Sequence, residues 1–211
     1  MFASFKNMIR KSFLYDLIRP ILQEKQFRKW IEGGRPAPAP SIQTQRVAKE
    51  YAIKFSTKIL VETGTFRGDM VNAQKDIFSR IYSVELDERL AKKAQKRFSG
   101  FEHIKILHGN SADILPGIIR QASEPYLFWL DAHFSGGITA RGNVDTPIIQ
   151  ELRCILDGRT ADDVILIDDA RHFVGLNDYP TIQELRDFIL KKRPDWIFEI
   201  KDDIIRAHRN T

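Results

Sequence analysis

A glycine turn between an apolar run and a helix-compatible segment is the feature that most constrains how this chain can fold. The apolar run ends at Val61 and leads into Glu62-Thr63-Gly64-Thr65-Phe66-Arg67-Gly68, after which residues 70–78 suit a helix. In α/β proteins, a strand, a glycine turn and a helix in this order present backbone N–H groups to a nucleotide-like ligand. A dinucleotide-binding turn would carry a third glycine, which this turn lacks. The turn therefore predicts an α/β sheet that binds a ligand after its first strand, with a purely structural turn between strand and helix as the alternative.

Strand-like and helix-like segments alternate from Ser41 onward, which predicts a Rossmann-like, mostly parallel sheet with helices on both faces. Two final apolar segments flank Lys201-Asp202-Asp203, and they predict a C-terminal antiparallel hairpin. The predicted strands are 58–62, 80–85, 104–108, 126–130, 164–167, 196–200 and 204–208. The predicted helices are 44–55, 70–78, 86–98, 112–121, 147–156 and 181–192.

Residues 1–40 are expected to form a helical extension with a proline-rich linker, ahead of a ligand-binding domain over 41–211. Residues 1–36 carry eight basic and three acidic side chains. The difference, +5, equals the net charge of the whole chain. Pro20 is expected to interrupt the helix or to start a second one. An apolar stripe recurs near helical spacing at Phe5, Ile9, Phe13, Leu17 and Ile21. This stripe could dock on the domain, contact a second copy in a homo-oligomer, or lie on an anionic membrane face.

Composition favours a cytoplasmic protein. The single cysteine, Cys154, cannot form a disulfide framework, and no apolar run approaches the roughly 20 residues that cross a bilayer. We therefore expect a cytoplasmic location, with peripheral contact at the inner membrane face as the alternative that the basic extension leaves open.

The ends of the first three strands predict a cofactor site, because ligands of such sheets bind beyond the carboxyl ends of the strands. Glu85 ends the second predicted strand, where a carboxylate can accept two hydrogen bonds from a ribose diol. Asn110 and Ser111 follow the third strand and could contact an adenine edge. The candidate cofactor-binding residues are Glu62, Gly64, Thr65, Phe66, Gly68, Glu85, Asn110, Ser111 and Asp131.

Three carboxylates follow the fourth and fifth predicted strands and predict a metal site. Asp131, Asp168 and Asp169 would meet beside the cofactor, and clustered carboxylates repel one another unless a cation neutralises them. Oxygen-only ligation suits Mg²⁺ or Mn²⁺. The alternative is that some of these aspartates cap helices or pair with Arg171 or Arg141.

Two histidines flank the carboxylates and are candidates for a general base. His133 and His172 can each accept a proton near neutral pH, although a buried structural histidine is the alternative for either. Asp131 is expected to act in catalysis beside them. The glycine-rich segment 135–143 is expected to form a loop over the site.

The motifs at 62–68, Glu85, Asp131 and Asp168-Asp169, taken in this order, resemble the class I S-adenosylmethionine-dependent methyltransferases. The carboxylate triad is similar to that of the metal-dependent small-molecule O-methyltransferases of the catechol and antibiotic-tailoring types. The resemblance covers residues 59–172. It implies a Rossmann-like sheet with a final antiparallel hairpin, a cofactor held by its amino-acid end at the glycine turn, and methyl transfer to a hydroxyl positioned on the metal.

The chain departs from that family at two positions. Phe66 stands where many members have a third glycine, and Phe134 stands where the catechol type has a lysine base. His133 is the nearest replacement, as the Asp-Ala-His sequence of the antibiotic-tailoring group suggests. The chain lacks the Asn/Asp-Pro-Pro-aromatic motif after the fourth strand, so methylation of DNA or of a protein amide nitrogen is not favoured.

The function predicted from the sequence is S-adenosylmethionine-dependent, Mg²⁺-assisted O-methylation of a small molecule or glycan hydroxyl. Two alternatives remain at this point. One is another Rossmann-like metal-dependent enzyme, such as a hydrolase. The other is a non-catalytic binding module with a membrane- or RNA-binding N-terminus.

Overall fold

The computed structural model describes residues 13–131, 146–159 and 161–210, with side chains from residue 18 onward. Its helices are α1 (Phe13–Glu32), α2 (Ser41–Lys54), α3 (Asp69–Gln74), α4 (Glu88–Phe98), α5 (Ser111–Ile118), α6 (Ile148–Gly158) and α7 (Ile182–Lys192). Its strands are β1 (Ile59–Thr63), β2 (Arg80–Glu85), β3 (Ile104–His108), β4 (Tyr126–Leu130), β5 (Val164–Ile167), β6 (Trp196–Lys201) and β7 (Ile204–Arg209). A 3₁₀ turn covers Ala170–His172.

The seven strands form one sheet in the order β3-β2-β1-β4-β5-β7-β6. Strands β1 to β5 are parallel, and β7 runs antiparallel between β5 and β6. The predicted fold class is therefore confirmed, including the closing hairpin. The parallel strands end together, because Thr63 pairs with Leu130 and Leu130 pairs with Ile167.

Each face of the sheet buries a separate apolar core, because successive strand residues point to opposite faces. Leu60 belongs to the core under α2, α3 and α4, whereas Ile59 and Val61 belong to the core under α5, α6 and α7. The same alternation directs Glu62 toward α2–α4 and Thr63 toward α5–α7. This difference decides what each of these two polar side chains contacts at the end of β1.

Helix α1 packs on α2 and on the start of α3. Glu24 accepts a 2.6 Å bond from Arg46 of α2, and Arg19 forms a 2.7 Å ion pair with Asp69 at the start of α3. The expectation that Pro20 would interrupt the helix is wrong, since α1 continues through it. An interior proline removes one backbone hydrogen bond and favours a kink, but helical turns are present on both sides of Pro20. In the part of the chain that the structure describes, no helix is both long and apolar enough to cross a membrane.

Candidate cofactor and active site

The glycine turn between β1 and α3 is tied to the neighbouring strand. The backbone N–H groups of Gly64 and Thr65 donate to the carbonyl of Val84 on β2, at 2.9 and 3.2 Å. Gly64, Phe66 and Gly68 all have positive φ, at 91°, 48° and 73°. The turn is thus held at the carboxyl end of the sheet. Its backbone favours glycine at all three of these positions, and glycine occupies two of them.

Gly68 has a structural reason for being glycine that its sequence position does not reveal. A β-carbon at this residue would lie 2.6 Å from Cε2 of Phe98, at the end of α4. The absence of a side chain therefore lets α3 and α4 approach each other. A contact between Gly68 and the cofactor stays a prediction.

Glu85, the last residue of β2, joins its own strand to the turn. Its carboxylate accepts the backbone N–H of Phe66 at 2.6 Å and that of Asp87 at 2.9 Å. A carboxylate has about four acceptor sites, so two of them remain for a ribose diol. The predicted ribose-binding residue is therefore buried, fixed in place and part of the same structure as the glycine turn.

Two apolar side chains beside Glu85 are exposed, and the sequence prediction included only one of them as a cofactor contact. Phe66 is 41% exposed and Leu86 is 38% exposed. Large apolar groups left in solvent next to a polar anchor are typical of a site that receives a flat ligand ring. The signal for Leu86 in the sequence was its position directly after the acidic residue that ends β2.

Glu62 is buried and is linked through Ser83 to Thr65 of the turn. Its carboxyl accepts a hydrogen bond from the hydroxyl of Ser83 on β2, and Ser83 is also bonded to Thr65 at 2.5 Å. Burial raises the pKa of Glu62 to about 8; the Ser83 bond opposes this shift, and the nearby carboxylate of Asp131 adds to it. Glu62 therefore holds a proton over much of the neutral range.

The two residues predicted to meet an adenine lie where α5 begins. Asn110 caps this helix, because its side chain accepts the N–H of Ala112 at 3.2 Å. Ser111 is buried behind it. The cap uses the side-chain oxygen of Asn110 and leaves its amide donors for another partner.

The aspartates after β4 and β5 are neighbours. The N–H of Asp131 donates to the carbonyl of Thr63 at 3.0 Å, and the N–H of Asp168 donates to Leu130 at 3.1 Å. Strand pairing thus continues one residue beyond each strand and sets the two aspartates side by side. Burial raises the pKa of Asp168 well above its usual range, and the charges of Asp131, Asp169 and Asp203 add to the shift.

Asp169 is held by an arginine. Its carboxylate forms a 2.6 Å ion pair with Arg171, and the same guanidinium bonds to Asp203 in the β6–β7 turn. The backbone N–H of Arg171 also donates to Asp203, at 2.9 Å. Asp203 was not among the predicted site residues, because it comes more than thirty residues later in the chain and only the antiparallel hairpin brings it back.

A three-residue metal group is not preassembled in this arrangement. Across residues 13–131, 146–159 and 161–210, no three His, Cys, Asp or Glu side chains are grouped closely enough to hold a metal ion. The backbone places Asp131 and Asp168 side by side, whereas the carboxylate of Asp169 is directed to Arg171. The metal therefore stays a prediction, and Asp169 is its least suited ligand.

Of the two candidate bases, the structure describes one. His172 is half-buried, and its backbone N–H donates to the carbonyl of Asp169 at 2.9 Å, so it belongs to the same strand end as the aspartates. Its ring lies 5.7 Å from that of Tyr179. His133 and the predicted loop 135–143 lie outside the described residues.

Glu151 is a further acidic residue in this region that sequence reasoning missed. It lies in the first turn of α6 and its side chain is buried. Burial raises its pKa to about 7, while the hydroxyls of Ser111 and Thr63 lower it and the charge of Asp131 raises it. In the sequence, Glu151 is indistinguishable from an ordinary acidic residue in the first turn of a helix.

Comparisons with known proteins place the fold. No protein-family model matches the chain, and no curated protein matches it. Among solved structures, it is similar to the O-methyltransferase TomG from Streptomyces achromogenes, involved in tomaymycin synthesis, in complex with S-adenosylmethionine. The identity is 20% over 90% of this chain and 89% of that one, with a TM-score of 0.59.

Two further solved structures agree with this similarity. The O-methyltransferase from Bacillus cereus in complex with S-adenosylhomocysteine is 16% identical over 89% of this chain and 90% of that one, with a TM-score of 0.59. The methyltransferase PaMTH1 from Podospora anserina, bound to S-adenosylhomocysteine, is 17% identical over 80% of this chain and 78% of that one, with a TM-score of 0.54. The chain has the fold of the class I S-adenosylmethionine-dependent methyltransferases, as the sequence motifs implied.

Proposed function

We propose that this protein is an S-adenosylmethionine-dependent O-methyltransferase that acts on a hydroxyl of a small molecule or glycan. The observation that carries the proposal is the position of Glu85 at the end of β2. Its carboxylate accepts a backbone N–H of the glycine turn and keeps free acceptor sites at the open edge of the sheet. The similar solved structures support it, since all three are methyltransferases that hold this cofactor or its product.

The described residues divide the work of binding between them. Glu85 binds the ribose. Phe66 and Leu86 flank the adenine ring, and Asn110 and Ser111 contact its edge. The turn at Gly64–Gly68 and Asp131 meet the amino-acid end. When bound, S-adenosylmethionine supplies an electrophilic methyl group on a sulfonium. The protein then has to hold an acceptor oxygen in line with that methyl group, which is where most of the rate enhancement would arise.

We further propose that Mg²⁺ or Mn²⁺ assists the reaction. Asp131 and Asp168 support this proposal, because two neighbouring half-buried carboxylates repel each other unless a cation or a proton intervenes. Asp169 would join them only by leaving Arg171. When bound, the metal would lower the pKa of the acceptor hydroxyl and orient it.

For proton removal we propose His133 first and His172 second. His133 comes two residues after Asp131 in the chain, and His172 is anchored through Asp169. Histidine is the side chain that most often serves as a general base in enzymes.

For residues 13–40, the part of the extension that the structure describes, we propose a docked structural role rather than membrane binding. The ion pairs of Arg19 with Asp69 and of Glu24 with Arg46 support docking. Ile21, Leu22 and Ile31 are exposed on this helix, and a membrane or a second subunit would cover them instead. Sedimentation of full-length protein with anionic vesicles at low and high salt separates these possibilities: salt-sensitive binding favours the membrane.

Thermal unfolding with three adenosine-containing ligands tests the proposed function. We expect S-adenosylmethionine and S-adenosylhomocysteine to raise Tm and NAD⁺ to leave it unchanged, because the turn lacks the third glycine of a pyrophosphate site. Stabilisation by NAD⁺ alone would overturn the proposal in favour of another Rossmann-like enzyme.

A further inference from the structure

Glu151 and Thr63 leave two buried oxygen atoms without partners at the same place. Glu151 is 1% exposed, and its Oε1 has no hydrogen-bond partner. Thr63 is fully buried, and its Oγ1 has none either. The Thr63 hydroxyl lies near enough to the carboxyl to favour its ionised form, yet outside hydrogen-bond geometry. Buried polar atoms in native proteins nearly always have a hydrogen-bond partner. Two unpaired oxygen atoms, one on α6 and one on β1, therefore indicate that a ligand atom belongs between them.

These atoms lie at the point where the order of the strands in the sheet reverses. From β1 the chain order runs to β2 and β3 on one side and to β4 and β5 on the other. Open α/β sheets bind ligands in the crevice at such a point. Thr63 ends β1 directly before Gly64, and its carbonyl accepts the N–H of Asp131. Glu151 therefore reaches the proposed cofactor pocket from the α6 side of the sheet.

The charge around the Glu151 carboxyl favours a cationic ligand. The described groups that act on the Glu151 carboxyl are the hydroxyls of Ser111 and Thr63 and the acidic Asp131, with no basic group among them. A buried carboxylate without a positive partner is costly, and a positively charged ligand relieves that cost. Asp131 adds a further carboxyl at the same strand end, so the described part of the pocket is acidic.

We propose that Glu151, with Thr63 beside it, forms the anionic floor of the cofactor pocket and selects S-adenosylmethionine over S-adenosylhomocysteine. This inference rests on the proposed function. The two compounds share the adenosine, the ammonium and the carboxylate, and they differ in charge at sulfur, which is a positive sulfonium in one and a neutral thioether in the other. When it is ionised, the Glu151 carboxylate acts on that difference more strongly in a water-poor pocket than it would in water. The product is then held less tightly than the cofactor.

Calorimetric binding of both compounds to three proteins tests the inference. The proteins are the wild type, Glu151→Gln and, as a control on the same helix, Asp157→Asn, whose side chain forms an exposed ion pair with Lys192. Glu151→Gln keeps the shape and removes the charge. We expect it to weaken S-adenosylmethionine roughly tenfold and S-adenosylhomocysteine less than about threefold, while the control retains wild-type affinities for both.

Thr63→Val separates charge from hydrogen bonding. It removes the hydroxyl but keeps the Glu151 carboxyl, so we expect the preference for S-adenosylmethionine to persist. Loss of that preference in Thr63→Val, together with its retention in Glu151→Gln, would overturn the inference.

The stability of the ligand-free protein gives a second measurement that a structural role would move differently. If the Glu151 carboxyl has no stabilising partner until a cationic ligand binds, Glu151→Gln should unfold at the same Tm as the wild type or higher, because it removes a buried unpaired carboxyl. A lower Tm, with equal weakening of both compounds, would assign Glu151 to the fold and overturn the inference. Unchanged affinities for both compounds would overturn it as well. A wild type that binds neither compound would overturn the proposed function, and this inference with it.

Discussion

The carboxylate of Glu85 accepts the backbone N–H of Phe66 at 2.6 Å and thereby connects the end of β2 to the turn that follows β1. The residue proposed to bind the ribose is thus also the residue that shapes the turn. A change at Glu85 should act on cofactor affinity both directly and through the backbone of the turn.

Glu85→Ala should weaken S-adenosylmethionine binding. Loss of hydrogen bonds to a charged group costs about 1.5–3 kcal/mol, which corresponds to roughly a tenfold to 150-fold higher Kd. Calorimetry measures this directly. Glu88→Ala is the matched control, since Glu88 lies three residues later on the exposed face of α4, where it pairs with Lys92. Equal affinities for Glu85→Ala and the wild type would remove Glu85 from the site.

Gly68→Ala should destabilise the fold even without any ligand. The substitution forces a side chain into a left-handed backbone conformation and against the ring of Phe98, so we expect a loss of about 1–3 kcal/mol in the free energy of unfolding. Urea denaturation measures it. Gly100→Ala is the control, because a β-carbon there meets nothing within 4 Å. Equal stability of the two variants would show that Gly68 does not depend on close packing with α4.

These two positions show where sequence reasoning succeeds and where it stops. The parallel strands were predicted to within one residue, because each is an apolar run that ends in polar or small residues. The position of Glu85 at the open edge followed from the same logic. The contact of Gly68 with Phe98 could not be predicted, since it joins helices thirty residues apart in the chain.

The partners of the candidate metal ligands could not be predicted from the sequence either. The sequence left open whether Arg171 pairs with an aspartate, and the structure shows that it holds Asp169. That Asp203 completes this ion pair depends on the return of the hairpin beside β5. Glu151 was missed because its burial arises from the packing of α6 on the sheet and has no local signal.

Removal of divalent cations should abolish methyl transfer and spare cofactor binding. Asp131 and Asp168 would lose the cation between them, while the turn and Glu85 would be unaffected. The measurement is turnover with and without a chelator, followed by restoration with Mg²⁺, alongside calorimetry of S-adenosylmethionine under both conditions. Turnover that survives thorough chelation would reduce the aspartates to acid–base or structural roles.

Fold stability should fall as the pH rises through the neutral range. The pKa of Glu62 is raised from 4.5 to about 8, so between these values the folded protein binds a proton that the unfolded chain does not. The stabilisation by that proton is complete below the unfolded pKa and is lost as the pH approaches 8, at up to about 1.4 kcal/mol per pH unit.

Glu62→Gln should flatten this dependence, because the amide does not titrate. Urea denaturation of the ligand-free wild type and variant across the range from about pH 5 to about pH 8 gives the two slopes. Part of the slope should remain in the variant, since the pKa of Glu151 is also raised, to about 7. Identical slopes for the two proteins would show that Glu62 is ionised throughout.

Binding of S-adenosylmethionine to the purified wild-type protein tests the central claim most directly. Isothermal titration calorimetry, with and without Mg²⁺, should show saturable binding of S-adenosylmethionine and of S-adenosylhomocysteine in both conditions, because Glu85 and the glycine turn need no metal to bind them. Absence of binding of either compound at millimolar concentration would contradict the assignment of this fold to methyl transfer.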